Sequence, residues 1–201
     1  MSTDTKAAAS LPNVHELIRH RWSPRSFTEK QVSPEDLATI LDAGRWAASS
    51  YNEQPWRFIV ATKEDPAAYE KLLGLLVPFN QAWAKFAPVL ILMVAKKTFS
   101  HNKSPNGYAL HDAGAALATM GLEATALGLR IHSMAGFDHD RARSELHIPD
   151  DYAIGAFSAL GYPGSPDQLP EGLKQQELSA RTRKPLSELV FTTTWESPFP
   201  L

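Results

Sequence analysis

Val89 to Ala95 is an unbroken apolar run, and it constrains the fold more than any other stretch of the sequence. The wider run Phe86 to Ala95 is ten residues long and contains Pro88, well short of the ~20 residues a helix needs to cross a bilayer. A short, continuous run of this kind suits a strand buried at the centre of a sheet. The longest helix is expected over Tyr108 to Leu127, which carries Ala113, Gly114, Ala115, Ala116, Ala118, Gly121 and Ala124. So many small side chains let another helix approach closely, within one subunit or across a dimer. Gly128 follows as the C-terminal cap.

The remaining elements follow from local signals. Val14 to Arg21 reads as a short helix with Asn13 as its N-cap. Ser33-Pro34-Glu35-Asp36 opens the next helix, with a capping hydroxyl, a proline suited to the first turn and acids at the positive end. Leu37, Ile40, Leu41 and Gly44 share one face of it. Arg57 to Thr62 reads as a strand, and Pro66 to Leu76 as a helix turning Tyr69, Leu72, Leu73 and Leu76 inward. Arg130 to Ala135 and Ala153 to Leu160 read as strands, with a helix over Asp138 to Leu146 between them. Gly161-Tyr162-Pro163-Gly164 reads as a turn. Leu169 to Glu177 has little apolar content and reads as a surface loop. Leu189 to Trp195 is rich in strand formers but stands apart from the core pattern. Long helices mixed with about four strands imply an α+β domain. With no repeat and no linker, the organisation is a loose tail over 1–13 and a single domain over 14–201.

Composition removes several classes of function. A chain of 201 residues can bury a sizeable core. A net charge of −2 gives no sign of a general nucleic-acid binder. No cysteine is present, which excludes disulfides, thiolate metal sites and thiol nucleophiles. The polar, Ala-rich start lacks an apolar signal core, so a cytoplasmic location is expected, with no membrane partner. The seven histidines show no ligand spacing, and Asp138-His139-Asp140 opens a helix where Asp serves as a cap. There is no Gly-x-Ser-x-Gly elbow and no Gly-rich dinucleotide loop after a strand.

The most informative chemistry lies in Arg45-Trp46-Ala47-Ala48-Ser49-Ser50-Tyr51-Asn52-Glu53-Gln54-Pro55-Trp56-Arg57-Phe58. Small hydroxyls let a backbone approach a flat ligand, and an amide both donates and accepts, so it can read the edge of a heterocycle. A polar loop over a buried Trp is the plain alternative. Three further segments bear on the choice: Arg21-Trp22-Ser23-Pro24-Arg25-Ser26-Phe27, Gly136-Phe137-Asp138, and Arg181-Thr182-Arg183-Lys184-Pro185. In this order the four segments resemble those of the FMN-dependent nitroreductase family, from about Val14 to Val190.

The resemblance implies a nitroreductase-like α+β fold, with a central, mainly antiparallel sheet flanked by helices. It also implies a homodimer whose C-terminal segment is exchanged with the partner subunit. It assigns the phosphate of a tightly bound FMN to Arg21, Arg181 and Arg183 with the hydroxyl of Ser23, in a segment that includes Trp22. Arg25 falls at the family position that reaches the pyrimidine edge of the flavin. Asn80 resembles an Asn that reads the same edge, although a turn-forming loop Asn explains it equally well. Flavin N5 would receive a backbone N–H near Ala135 and Gly136, where the family often carries Glu in place of Ala135. Ala48, Ser49, Ser50 and Asn52 would reach the FMN of the partner chain, with Gln54 and Trp56 holding their loop; Ala48 stands where Pro is frequent. The implied reaction is ping-pong, with NAD(P)H as a transient hydride donor and nitroaromatics, quinones or similar flat oxidants as acceptors. No side chain is required as a conventional catalyst, and no metal. A flavin-binding protein without turnover, or another reductive activity such as enone reduction or dehalogenation, are the alternatives. The segment Lys97 to Tyr108 is expected to include a mobile loop near the entrance.

Overall fold

A computed structural model describes residues 6–200. Four strands, β1 (Trp56–Thr62), β2 (Val89–Lys96), β3 (Arg130–Met134) and β4 (Tyr152–Gly161), form one sheet in the order β1-β2-β4-β3, antiparallel at every pairing. The helices are α1 (Glu16–His20), α2 (Pro34–Arg45), α3 (Pro66–Leu73), α4 (Pro78–Ala84), α5 (Ala109–Ala126), α6 (His139–Glu145) and α7 (Glu171–Leu178). The fold is the expected α+β arrangement. None of these helices is long and apolar enough to cross a membrane.

The apolar run works as expected because side chains alternate across a strand. Leu90, Leu92 and Val94 enter one core with Leu72, Leu76, Trp83 and Phe157. Val89 and Ile91 enter the opposite core with Ile40, Met120 and Leu129. Met93 and Ala95 pack on Ala109, Ala113 and Ala116 of α5. Both faces of β2 are therefore dry, and β2 is central. Helix α2 meets α5 closely through its own Gly44, where a Cβ would lie 2.6 Å from Met120 Cγ of α5. Gly128 takes φ +78 after α5, a conformation in which a Cβ is strained. Ser33 caps α2 by accepting from Asp36 N, and Asp138 caps α6 by accepting from Arg141 N.

Several local expectations need correction. Leu169 to Glu177 is not a surface loop; α7 runs through it and buries Leu173 and Glu177. Only two inward positions, one of them charged, leave no apolar period to detect. The expected turn at Gly161–Gly164 is instead the end of β4 followed by a bridge from Pro163 to Phe27. Its glycines answer close approach: a Cβ on Gly164 would meet the Phe27 carbonyl carbon at 2.7 Å. Helix α1 is shorter than expected and is capped by His15, not Asn13. Helix α3 stops at Leu73, and Leu76 beyond it pairs with Phe137. Asn80 lies in α4, which Pro78 opens, and not in a loop turn. Within Lys97 to Tyr108, the chain closes on itself through Thr98 and Pro105, and Glu53 binds Ser100. The strand-forming segment near the end makes an isolated bridge between Phe191 and Pro198, and Leu189, Trp195 and Phe199 are exposed.

Candidate functional site

Arg21 to Phe27 leaves α1 in an irregular path, and Arg181 and Arg183 follow α7. The two segments meet. Arg21, Trp22, Ser23, Arg25, Arg181 and Arg183 line one cavity of about 210 Å³ together with Lys6 and Glu177. The Arg21 guanidinium donates to Ser23 Oγ at 3.4 Å. Burial lowers the Arg21 pKa, and Arg183 lowers it further. Burial acts likewise on Arg181, followed by Arg21 and Arg183. Arg130, buried behind them, is depressed by burial and then by Arg21 and Arg181. These cations repel one another across a partly dry space. The buried Nε atoms of Arg25 and Arg130 find no hydrogen-bond partner among the described residues. Such a cluster is organised for a polyanion, because guanidinium forks match phosphate oxygens.

Glu177 is the one carboxylate lining the cavity among the described residues, and it is already engaged. Both its oxygens accept from Arg25 N at 3.0 Å, and Oε1 also accepts from Ser26 N at 3.1 Å. Burial raises its pKa against those bonds and the nearby Arg25 and Lys6 charges. From the opposite side, His132 Nδ1 donates to Pro24 O at 2.8 Å while its ring packs on Trp83. Burial holds this imidazole neutral, with a pKa near 4. Gln168 adds bonds to Ser26 Oγ and Phe27 O. The segment carrying Ser23 and Arg25 is thus clamped between β3 and α7. The sequence reading missed Glu177, His132, Arg130 and Lys6 as members of the site. None of them carries a local signal that separates it from an ordinary surface or core residue.

The Ala48–Asn52 loop is held elsewhere. Ser50 N donates to the buried Asp112 Oδ2 at 2.9 Å, and Ser49 Oγ accepts from Gln54 N at 3.0 Å. Tyr51, Asn52 and Gln54 have φ of 53, 53 and 50. Three non-glycine residues in the left-handed region are costly, and such strain clusters at ligand-binding loops. Gln54 Nε2 donates to Asn52 O, and Trp56 is buried, so both support the loop. Asp112 stands nine residues from Gly121, over which Arg21 lies, and nine helical residues span about 14 Å. None of Ala48, Ser49, Ser50 and Asn52 lines the cationic cavity of the same chain.

The third group is compact. Asn80 Nδ2 donates to Gly136 O at 2.9 Å, and Val77 N donates to the same oxygen at 3.1 Å. A Cβ on Gly136 would lie 2.7 Å from Asn80 Nδ2, so glycine is demanded there by close approach. Asn80 therefore fixes the Ala135–Gly136 backbone, and Ala135 itself is exposed.

The arrangement has counterparts among known proteins. The model described as "Nitroreductase family" matches residues 18–162. An NADH dehydrogenase of Thermus thermophilus is 30% identical over 177 residues, covering 71% of this chain and 83% of that protein. The crystal structure of an oxidoreductase containing FMN superposes with TM-score 0.86 at 34% identity over 96% of both chains. A Desulfovibrio desulfuricans protein solved in complex with FMN superposes with TM-score 0.73 at 29% identity, over 95% of this chain and all of that one. With the family match spanning most of the chain and the fold shared almost end to end, the chain belongs to the nitroreductase family.

Proposed function

We propose that this protein is an FMN-dependent oxidoreductase that draws on NAD(P)H and reduces flat acceptors such as nitroaromatics or quinones by a ping-pong mechanism. The observation that carries the reading is the cationic cavity of Arg21, Arg25, Arg181 and Arg183, whose single lining carboxylate is engaged by backbone N–H groups. An FMN phosphate carries about two negative charges near neutral pH and answers that surplus. The orphaned Nε of Arg25 adds a donor aimed at no protein partner among the described residues. The solved relatives containing FMN support the same assignment.

When bound, FMN supplies reversible hydride chemistry with a nicotinamide donor. This chain's part is to bind, orient and tune. Arg21, Arg181 and Arg183, with the Ser23 hydroxyl and beside Trp22, hold the phosphate. Arg25 brings a positive charge to the pyrimidine edge, which favours the reduced, anionic cofactor. Asn80 fixes the Gly136 carbonyl and so the direction of the Ala135–Gly136 backbone, which would offer an N–H to the reactive edge of the flavin. Ala48, Ser49, Ser50 and Asn52 complete the site from a second copy, as the family resemblance implies; neither they nor Asn80, Ala135 and Gly136 line the cationic cavity of their own chain. The exposed Leu189, Trp195 and Phe199 of the C-terminal segment dock on that copy in a homodimer.

The test is the absorption spectrum of the purified protein, followed by anaerobic NADH or NADPH. A yellow protein that bleaches and recovers with a nitroarene or quinone is the expected result. A flavin that neither nucleotide bleaches indicates binding without turnover, and a colourless protein that FMN cannot reconstitute overturns the assignment.

A further inference from the structure

The amino-terminal segment reaches the cationic cavity. Lys6 is one of its lining residues. Its backbone is tied on two sides: Arg181 Nη1 donates to Lys6 O at 2.9 Å and to Arg19 O at 2.8 Å, and Ala8 N donates to Arg19 O at 2.8 Å. The Lys6 ammonium donates to Ser179 O at 2.7 Å and stands 5.4 Å from the centre of the Trp22 ring. Residues 6–8 thus cross from the end of α1 to the end of α7.

Burial leaves the Lys6 charge incompletely compensated in this placement. Burial opposes the Lys6 charge most, the Glu177 carboxylate offsets part of that cost, and Arg181 opposes the charge by less than Glu177 supports it. Ordering a chain segment costs entropy, and the ordered segment here adds a fifth cation to the four arginines of the cavity. An ammonium has three donors, and Ser179 O takes one. Among the described residues no other acceptor is bonded to it, which leaves two donors for a ligand in the cavity.

Resting on the FMN reading above, we infer that Lys6 is a further ligand of the cofactor phosphate and that residues 6–8 form a strap that closes over it. Arg181 then has two tasks. Its Nη1 anchors the strap, and its remaining N–H groups face the anion. Sites of this composition discriminate FMN from riboflavin, which has the same ring and no phosphate.

The experiment is titration of apoprotein with FMN and with riboflavin, followed by quenching of flavin fluorescence, for wild type, Lys6→Met, Lys6→Arg and Arg21→Ala. A charge-assisted hydrogen bond at a part-exposed site corresponds to about tenfold in affinity. Lys6→Met should weaken FMN about tenfold and leave riboflavin unchanged, and Lys6→Arg should restore most of the loss. If Arg21→Ala abolishes the preference for FMN while Lys6→Met preserves it, the strap inference fails and the phosphate site stands. If neither variant alters the preference, the phosphate lies elsewhere and the assignment of this cavity to it falls with the inference. A Lys6→Met defect confined to the KM for NADPH, with FMN affinity intact, would also overturn it, since the ammonium would then serve the nucleotide.

Discussion

Glu177→Ala is the most direct probe of how the site is built. Ser26 is fully buried and Arg25 half-buried, and the carboxylate takes the backbone N–H of each. Truncation to Ala removes the acceptor for both. An unsatisfied buried donor costs about 1–3 kcal/mol, and water can partly relieve Arg25, so the expected loss is about 2–4 kcal/mol. Glu177→Gln separates charge from geometry. Its amide oxygen can keep the Arg25 and Ser26 bonds made by Oε1, and a neutral amide is cheaper to bury, so about 1 kcal/mol is expected. The assay is equilibrium urea unfolding of apoprotein at one protomer concentration, because a dimer's stability depends on it. The two variants also differ from wild type in pH dependence. Burial raises the folded pKa of Glu177 above 4.5, so the folded state holds this proton at pH values where the unfolded state has lost it. Stability therefore falls as pH rises from 4.5 through the raised value, and both variants should lack that component. A Glu177→Ala loss below about 0.5 kcal/mol would show that α7 does not hold the Arg21–Phe27 segment. A Glu177→Gln loss as large as that of Glu177→Ala would show that charge, not the acceptor, does the holding.

Three further outcomes are expected. His132 has a folded pKa near 4 against 6.5 unfolded, so its contribution is complete above pH 6.5 and is lost as pH falls toward 4. At partial exposure this amounts to about 1–3 kcal/mol, and His132→Asn, which keeps a donor for Pro24 O, should flatten the decline in an acid-unfolding series. In dimers mixed from Asn52→Ala and Arg21→Ala chains, each purified heterodimer should bind one FMN, since both lesions fall in the same site; heterodimers that bind none would contradict completion across the subunits. Removal of residues 189–201 should shift the protein toward monomer in analytical ultracentrifugation and lower its Tm, and an intact, equally stable dimer would refute the docking of the C-terminal segment.

The parts of this molecule that were legible in the sequence are those whose physics is local. Val89 to Ala95 announced β2 because a strand dry on both faces must be apolar at every position. Ser33-Pro34 announced α2, and Gly128 the end of α5, because caps answer donors and acceptors within one turn. The cation positions were readable because four motifs in a fixed order resemble a family, and the structure gathers Arg21, Arg25, Arg181 and Arg183 around one cavity. What supports those cations was not readable. The Glu177 carboxylate meets the Arg25 N–H across 152 residues of sequence, and His132 meets Pro24 across 108. Nothing local distinguishes either from the other acids and histidines of the chain. Glu177 becomes an acceptor for backbone donors only because α7 buries it against a segment that has no secondary structure of its own. That segment has no helix or strand partner for the Arg25 and Ser26 N–H groups, so buried side chains must provide one. Where a ligand-binding segment is irregular, the residues that fix it have to be sought among buried polar groups distant in sequence, and the resemblance of motifs cannot supply them.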